Sequence, residues 1–155
     1  MESRTEECSI TNFLGTDHHH IHSLWQDCLS AVDQRETPRV QVALKRFISH
    51  LRRHIRLEEE ILFPVFEEST GMKEGPTAAM RREHLEINAA LERLSRAAQQ
   101  DDCDTIIAAI RAEPINPSAL LANHDVKEEH ALYPMADRVL SEDQRRRLIL
   151  AMKAQ

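Results

Sequence analysis

Two similar stretches of sequence decide the fold: residues 54–64 read HIRLEEEILFP, and residues 124–134 read HDVKEEHALYP. Each stretch begins with a histidine and carries a glutamate four residues later. On an α-helix, side chains four residues apart lie on the same face and roughly 6 Å apart along the axis. One helix can therefore present both groups to one metal ion, and two copies indicate two such helices that face each other.

The composition is typical of a compact helical protein. The chain has 155 residues, of which 41% are hydrophobic and 30% charged, with only 3 glycines, so we expect a single domain over residues 1–155. The net charge is -6 and no basic block stands out, which argues against a general affinity for nucleic acid or anionic membranes. No stretch approaches the roughly 20 apolar residues of a membrane span, and the N-terminus does not resemble a signal peptide. We therefore expect a cytoplasmic protein with no membrane partner.

Helix start and stop signals predict an all-α fold. Thr16 can cap a first helix, Thr37 with the proline after it can start a second, and Ser141 begins a capping box. Four long helices are predicted at about residues 16–33, 37–64, 77–99 and 117–139. The segment 104–112 is either a separate short helix or the start of the fourth. We predict an up-and-down four-helix bundle, with its core at about residues 12–140 and a short additional C-terminal helix.

Apolar residues recur along these helices at alternating spacings of four and three, and polar residues interrupt the stripes. The stripes of the first and third helices are Leu14, His18, Ile21, Trp25, Cys28 and Val32, and His84, Ile87, Leu91, Leu94 and Ala98. The stripes of the second and fourth helices include Leu51, His54, Glu58, Ile61 and Val65, and Leu121, His124, Glu128, Ala131 and Met135. Six polar residues are thus expected to face the core: His18, His54, Glu58, His84, His124 and Glu128.

The repeat extends beyond the two opening stretches. The pair Asp17-His18 in the first helix corresponds to Glu83-His84 in the third. Each half of the chain thus has one helix with a core-facing histidine, followed by one with a histidine and a glutamate. This order favours a bundle with pseudo-twofold symmetry.

The buried polar residues need a partner, because buried carboxylates are costly unless they are paired, hydrogen-bonded or bound to metal. Imidazole and carboxylate ligands without thiolate suit iron, manganese or zinc, whereas a structural zinc site more often uses cysteine. Two glutamates from opposed helices can each bridge two metals, which leaves two histidines for each metal. The ligand set favours a dinuclear centre with open positions for a small external ligand.

Residues near the stripes have simpler interpretations. Pro64 and Pro134 are expected to end or kink their helices. We expect three histidines to be exposed to solvent: His19, His20 and His130. Glu59 and Glu129 are expected to form ion pairs on the outer face. Phe63 and Tyr133 are expected to be core residues that close the site.

Two further histidines are candidates for the site. His22 lies one helical turn after His18, and His50 lies one turn before His54. If the first two helices are antiparallel, His22 and His50 share one level. Either residue can then be an additional metal ligand, form a hydrogen bond to a ligand, or pair with the other.

These residues resemble the hemerythrin-like, or HHE cation-binding, domain family. The resemblance runs from about Asn12 to Leu140, through Asp17-His18, the phrase TGMKEGPTAAMRREH that ends at His84, and the two opening stretches. It implies an up-and-down four-helix bundle with a non-heme iron centre, usually two irons with a bridging oxo or hydroxo group. Zinc and manganese are the alternatives that the ligand types allow. The family's ligands correspond to the same residues as the stripes: His18, His54, Glu58, His84, His124 and Glu128.

The chain departs from the oxygen-carrying hemerythrins at Asn88, because those proteins have a fifth histidine four residues after the equivalent of His84. The pattern is more similar to bacterial relatives linked to nitric oxide stress, iron-sulfur repair or oxygen sensing. We expect a metal protein that binds or reacts with oxygen, nitric oxide or peroxide, in sensing or in a stress response.

Several alternatives stay open at this point. The same centre can belong to a di-iron redox enzyme, to an iron donor for iron-sulfur cluster repair, or to a metal storage or structural site. The residues leave the metal and the oligomeric state open as well. A ferritin-like bundle is disfavoured, because that family uses Glu-x-x-His at three-residue spacing.

Overall fold

The computed structural model describes residues 8–113 and 120–155, and the elements in these two ranges are all helical. They are α1 (Ile10–Gln34), α2 (Thr37–Leu57), π1 (Glu58–Leu62), α3 (Phe63–Thr70), α4 (Pro76–Ala97), α5 (Cys103–Ala112), α6 (Leu120–Lys127), π2 (Glu128–Leu132), α7 (Tyr133–Val139) and α8 (Glu142–Lys153). None of the described helices is both long enough and apolar enough to cross a membrane.

The first helix begins earlier than predicted. It starts at Ile10, where Ser9 is the N-cap and accepts a hydrogen bond from the Asn12 N–H, so the prediction of Thr16 as the cap is wrong. The side chain of Asp137 accepts hydrogen bonds from the backbone N–H groups of Ile10 and Thr11, at 2.7 and 3.1 Å. A contact 127 residues away in sequence thus stabilises this helix start, and local signals do not reveal it.

Neither of the two prolines in the repeated stretches ends its helix. The chain stays helical past Pro64 to Thr70 and past Pro134 to Val139, through the π-helical turns π1 and π2. In each turn a backbone N–H reaches five residues back, from Phe63 to the Glu58 carbonyl and from Tyr133 to the Glu128 carbonyl. A proline lacks an N–H and clashes with the carbonyl four residues earlier in an α-helix. The wider turn relieves this conflict, so the helix continues.

The π-turns also shift the buried face by one residue. After Glu58 the buried residues are Leu62, Phe63 and Phe66, whereas the α-helical stripe predicts Ile61 and Val65, which are only half-buried. After Glu128 the same shift replaces the predicted Ala131 and Met135 by Leu132 and Ala136. Each π-turn holds one extra residue, which moves every later side chain round the axis. The predictions for the second and fourth helices are therefore wrong beyond the glutamates, whereas those for the first and third are confirmed.

Two further helices, α5 and α8, pack against the long ones. The segment predicted at 104–112 is a separate helix, α5, and Glu113 after it has an extended backbone. The predicted restart at Asn116-Pro117 lies outside the described residues. The capping box at Ser141 is confirmed, since its side chain accepts from the Gln144 N–H and Gln144 accepts from the Ser141 N–H.

The long helices surround a polar layer. Helix α1 packs against α2, α2 against α4, α4 against α6, and α7 back against α1. Buried apolar residues form two separate clusters, one with Trp25 and Phe47 and the other with Phe63 and Phe66. On α1, His18 lies between Leu14 of one cluster and Ile21 of the other, and the other three histidines of the predicted set are placed likewise on their helices. The polar layer is thus enclosed between two apolar cores.

Candidate metal centre

All six predicted polar residues are buried in this layer, none of them more than 3% exposed. They form two sets of four, with one potential ligand atom from each residue and all atoms of a set within 4.8 Å of one another. We call His18, His54, Glu58 and Glu128 the His18 group, and Glu58, His84, His124 and Glu128 the His84 group. The two groups share both glutamates.

Each shared glutamate turns one oxygen towards each group. Glu58 Oε1 lies 3.5 Å from His54 Nε2, and Glu58 Oε2 lies 3.1 Å from His84 Nε2. Glu128 Oε2 lies 3.0 Å from His18 Nε2, and Glu128 Oε1 lies 2.8 Å from His124 Nε2. One oxygen of each glutamate would therefore be available to a cation in each group.

A carboxylate on another helix contacts the second nitrogen of every histidine in the centre. The Nδ1 atoms of His18, His54, His84 and His124 lie 2.7 to 2.8 Å from carboxylate oxygens of Glu129, Asp17, Glu59 and Glu83, respectively. Histidines that bind metals usually have such a partner, which fixes the ring and its tautomer. All four Nε2 atoms are therefore left to face the two groups.

The positions of Glu59 and Glu129 correct the sequence interpretation. Both were expected to form ion pairs on the outer face, but each reaches a core histidine of a neighbouring helix instead. The expectation considered only the azimuth on an isolated helix, and π-turns begin at the preceding glutamates. A signal was present, because the second glutamate recurs at the same position of both stretches. Asp17 and Glu83, which the repeat had paired, occupy equivalent positions on His54 and His124.

The charges in the centre stabilise one another. Burial lowers the pKa of His84, but the nearby carboxylates of Glu128 and Glu58 raise it to about 10. Burial likewise lowers the pKa of His124, and its contacts with Glu128 raise it to about 8. Burial raises the pKa of Glu128, yet the nearby imidazoles of His124, His18 and His84 bring it well below its usual range. Without metal, protons on the histidines neutralise the glutamates, and a metal has to displace these protons.

Unpaired buried atoms test whether the site fits a metal. Glu58 Oε2, Glu128 Oε1 and His84 Nε2 are buried and have no hydrogen-bond partner among the described residues. The 3.1 Å between Glu58 Oε2 and His84 Nε2 is a close contact without hydrogen-bond geometry. Leaving such groups unpaired costs about 1–3 kcal/mol each, and more for charged groups. A cation in the His84 group would satisfy all three atoms, and these donor types suit iron, manganese or zinc.

A family model described as the hemerythrin HHE cation binding domain matches residues 9–136. The chain belongs to this family. No curated protein and no solved structure matches the chain. For this HHE domain, membership and geometry agree on metal binding, since the residues of the matched range form the two groups.

Tyr133 distinguishes the two halves of this HHE domain. Its buried hydroxyl lies 3.3 Å from both His18 Nε2 and His54 Nε2, and it shares its one proton between the carboxylates of Glu58 and, at 2.9 Å, Glu128. Burial and the two carboxylates raise the pKa of Tyr133 well above its usual range, so the phenol keeps its proton. Phe63 is the equivalent residue of the repeat and stacks on His84, with ring centroids 5.9 Å apart. Both aromatic residues close the site as predicted, but only Tyr133 brings a polar atom into it.

The two candidate histidines each contact a carboxylate. His50 Nε2 lies 2.7 Å from Asp17 Oδ1, and His22 Nε2 lies 2.8 Å from Asp125 Oδ2. Neither belongs to the two groups formed by the described residues. His50 thus contacts the carboxylate that orients His54, and His22 contacts a buried carboxylate beside His18. His19, His20 and His130 are exposed, as predicted.

Proposed function

We propose that this HHE domain binds two non-heme metal ions, iron in the cell, and that the centre binds or reacts with oxygen, nitric oxide or peroxide in sensing or a stress response. The observation that carries the proposal is the division of Glu58 and Glu128 between the two groups, one oxygen to each. The closed order of helix contacts supports an up-and-down bundle around the pair.

The number of protein donors supports a role with an external ligand. Each group offers two imidazole nitrogens and two carboxylate oxygens. Iron bound there would supply redox chemistry and open coordination positions for a small molecule. The protein itself holds the rings in place through the four Nδ1 contacts, and the two apolar clusters exclude bulk water.

A second candidate function is enzymatic turnover at the same centre, as in a di-iron redox enzyme. The position of Tyr133 favours it, because its hydroxyl lies within 3.3 Å of two histidines and contacts both shared glutamates. A phenol there can hold or donate a proton beside the His18 group. The binding function does not need that proton. A requirement for Tyr133 would therefore favour enzymatic turnover over binding alone.

Metal analysis combined with optical spectra before and after exposure to oxygen or nitric oxide tests the proposal. We expect about two irons per chain and a spectrum that changes with the ligand. His19→Ala removes an exposed histidine and is expected to keep both properties. Stoichiometric zinc without a spectral response would contradict the proposal. Consumption of peroxide or nitric oxide with a reductant then distinguishes an enzyme from a binding protein.

A further inference from the structure

Asp125 is a buried carboxylate that the six-residue set does not include. It follows His124 on α6 and is 5% exposed. Its Oδ2 accepts a hydrogen bond from His22 at 2.8 Å. Its Oδ1 is buried and finds no hydrogen-bond partner in the described part of the chain, although it lies 3.5 Å from His18 Nε2. One carboxylate oxygen is thus held in place while the other is left unsatisfied.

The free oxygen faces the atom of His18 that would bind a metal. Glu129 contacts His18 Nδ1, so Nε2 is the nitrogen available to the His18 group. Two donors that each lie about 2.1 Å from one metal are about 3.0 Å apart at an octahedral angle and about 3.4 Å apart at a tetrahedral angle. The 3.5 Å from Asp125 Oδ1 to His18 Nε2 is close to the upper of these values, as is the 3.5 Å between His54 Nε2 and Glu58 Oε1. Asp125 Oδ1 is therefore at a donor's distance from His18 Nε2, but it is not within 4.8 Å of all four donors of the His18 group, so binding a metal there requires its side chain to move towards them.

The other half of the repeat lacks this pair. With the offset of the two opening stretches, Asp125 corresponds to Ile55, which is buried in an apolar cluster. With the offset that relates His18 to His84, His22 corresponds to Asn88. His22 compensates only one oxygen of Asp125, and a buried carboxylate oxygen without a partner is unfavourable, so the unpaired Oδ1 in this half needs a local cause. A cation in the His18 group provides one.

We propose that Asp125 is an additional oxygen ligand of the metal in the His18 group and that His22 holds it in position. The two metals then differ in donor number, with five protein ligands on the His18 side and four on the His84 side, and the His18 side binds its metal more tightly. The inference rests on the proposed two-metal centre. In this proposal His22, whose side chain is partly exposed, orients the ligand Asp125.

Titration of the metal-free, full-length protein with Co²⁺ tests the inference, because the visible absorption of Co²⁺ reports its coordination number. We expect the wild type to bind two Co²⁺ with unequal affinity. Asp125→Asn keeps the shape of the side chain and is expected to lower one affinity by about 10- to 100-fold, with a stronger absorption band from that ion, while the other affinity stays unchanged. His22→Ala is expected to act on the same ion by about 10-fold.

The matched control is Glu113→Gln, which removes the charge of another buried carboxylate. Arg93 binds Glu113 at 2.6 and 2.9 Å, and neither residue belongs to the centre. This variant should leave both Co²⁺ affinities unchanged.

The wild type could bind two Co²⁺ while Asp125→Asn and His22→Ala both have the affinities and spectrum of the wild type. That result would disprove the role of Asp125 but not the two-metal centre. A wild type that does not bind two ions per chain contradicts the centre and the inference together. His22 is partly exposed, so His22→Ala tests the point even if Asp125→Asn does not fold.

Discussion

The His18 group and the His84 group have matching ligand atoms but different surroundings. Each offers two histidine nitrogens and one oxygen from each shared glutamate. The His18 group also has the Tyr133 hydroxyl and the Asp125 carboxylate beside it, whereas Phe63 and Ile55 occupy the equivalent positions of the other half. The difference teaches that the repeat accounts for the two matching donor sets, while the residues that break the repeat give the two sets different surroundings.

The largest expected effect comes from the residues that the two groups share. Glu58→Ala removes one donor oxygen from each group and should lower the metal affinity of both by more than about 100-fold. This is more than the loss expected when a residue that only orients a ligand is removed. His54→Ala removes a donor from the His18 group alone and should weaken one position only. Measuring the metal stoichiometry and affinity of the two variants shows whether one or both positions are weakened. Loss of a single metal in Glu58→Ala would mean that the groups do not share this glutamate.

The metal-free protein should lose stability at alkaline pH, because the pKa of every histidine in the two groups is raised. The folded-state pKa is about 8 for His124 and about 10 for His84, both above the ordinary 6.5. A raised histidine pKa gives stability that is complete below pH 6.5 and is lost as the pH rises through the folded value. His124 alone should contribute roughly 2 kcal/mol.

Urea unfolding at pH 6, 8 and 10 measures this loss in the metal-free protein. The metal-loaded protein should not show it, because the metal binds the unprotonated nitrogens, and its affinity should instead rise with pH. A metal-free protein that is equally stable at the three pH values would contradict the assigned contacts.

A smaller and symmetric effect is expected from the carboxylates that orient the histidines. Glu59→Gln removes the charge beside His84, and Glu129→Gln removes it beside His18. Each variant should weaken metal binding in its own group by about 10-fold. Isothermal titration with Co²⁺ for each variant resolves the affected position. Weakening of the same position by both substitutions would rule out the assignment of one glutamate to each half.

The smallest effect on metal affinity should come from Tyr133→Phe, which makes the two halves alike at this position. We expect less than about a threefold change in metal affinity, because the phenol is not one of the proposed metal ligands. The metal-free protein should lose about 1.5–3 kcal/mol of stability, since a hydrogen bond to charged groups is removed. If the centre is an enzyme, the rate of peroxide or nitric oxide consumption should fall while the metal content stays constant. A variant with an unchanged rate would remove the support that Tyr133 gives to turnover.

The sequence predicts the polar layer well, because burial of a histidine at a stripe position depends only on helical periodicity. Periodicity alone places His18 and His84 on core-facing positions, and the repeat supports this prediction. The periodicity fails after Glu58 and Glu128, because it assumes α-helical geometry and each π-turn adds one residue. The start of α1 was missed because Asp137, distant in sequence, stabilises it. Contacts such as Glu129 with His18 depend on how two helices face each other, which the pattern of a single helix does not contain.

The central claim is that two metals share Glu58 and Glu128, and X-ray absorption spectroscopy of the iron-loaded protein tests it most directly. Two irons bridged by both carboxylates should show an iron neighbour at about 3–4 Å, with about two irons per chain. The signal of this neighbour should disappear in a Glu58→Ala, Glu128→Ala double variant. A single iron per chain without an iron neighbour in the wild type would contradict the account.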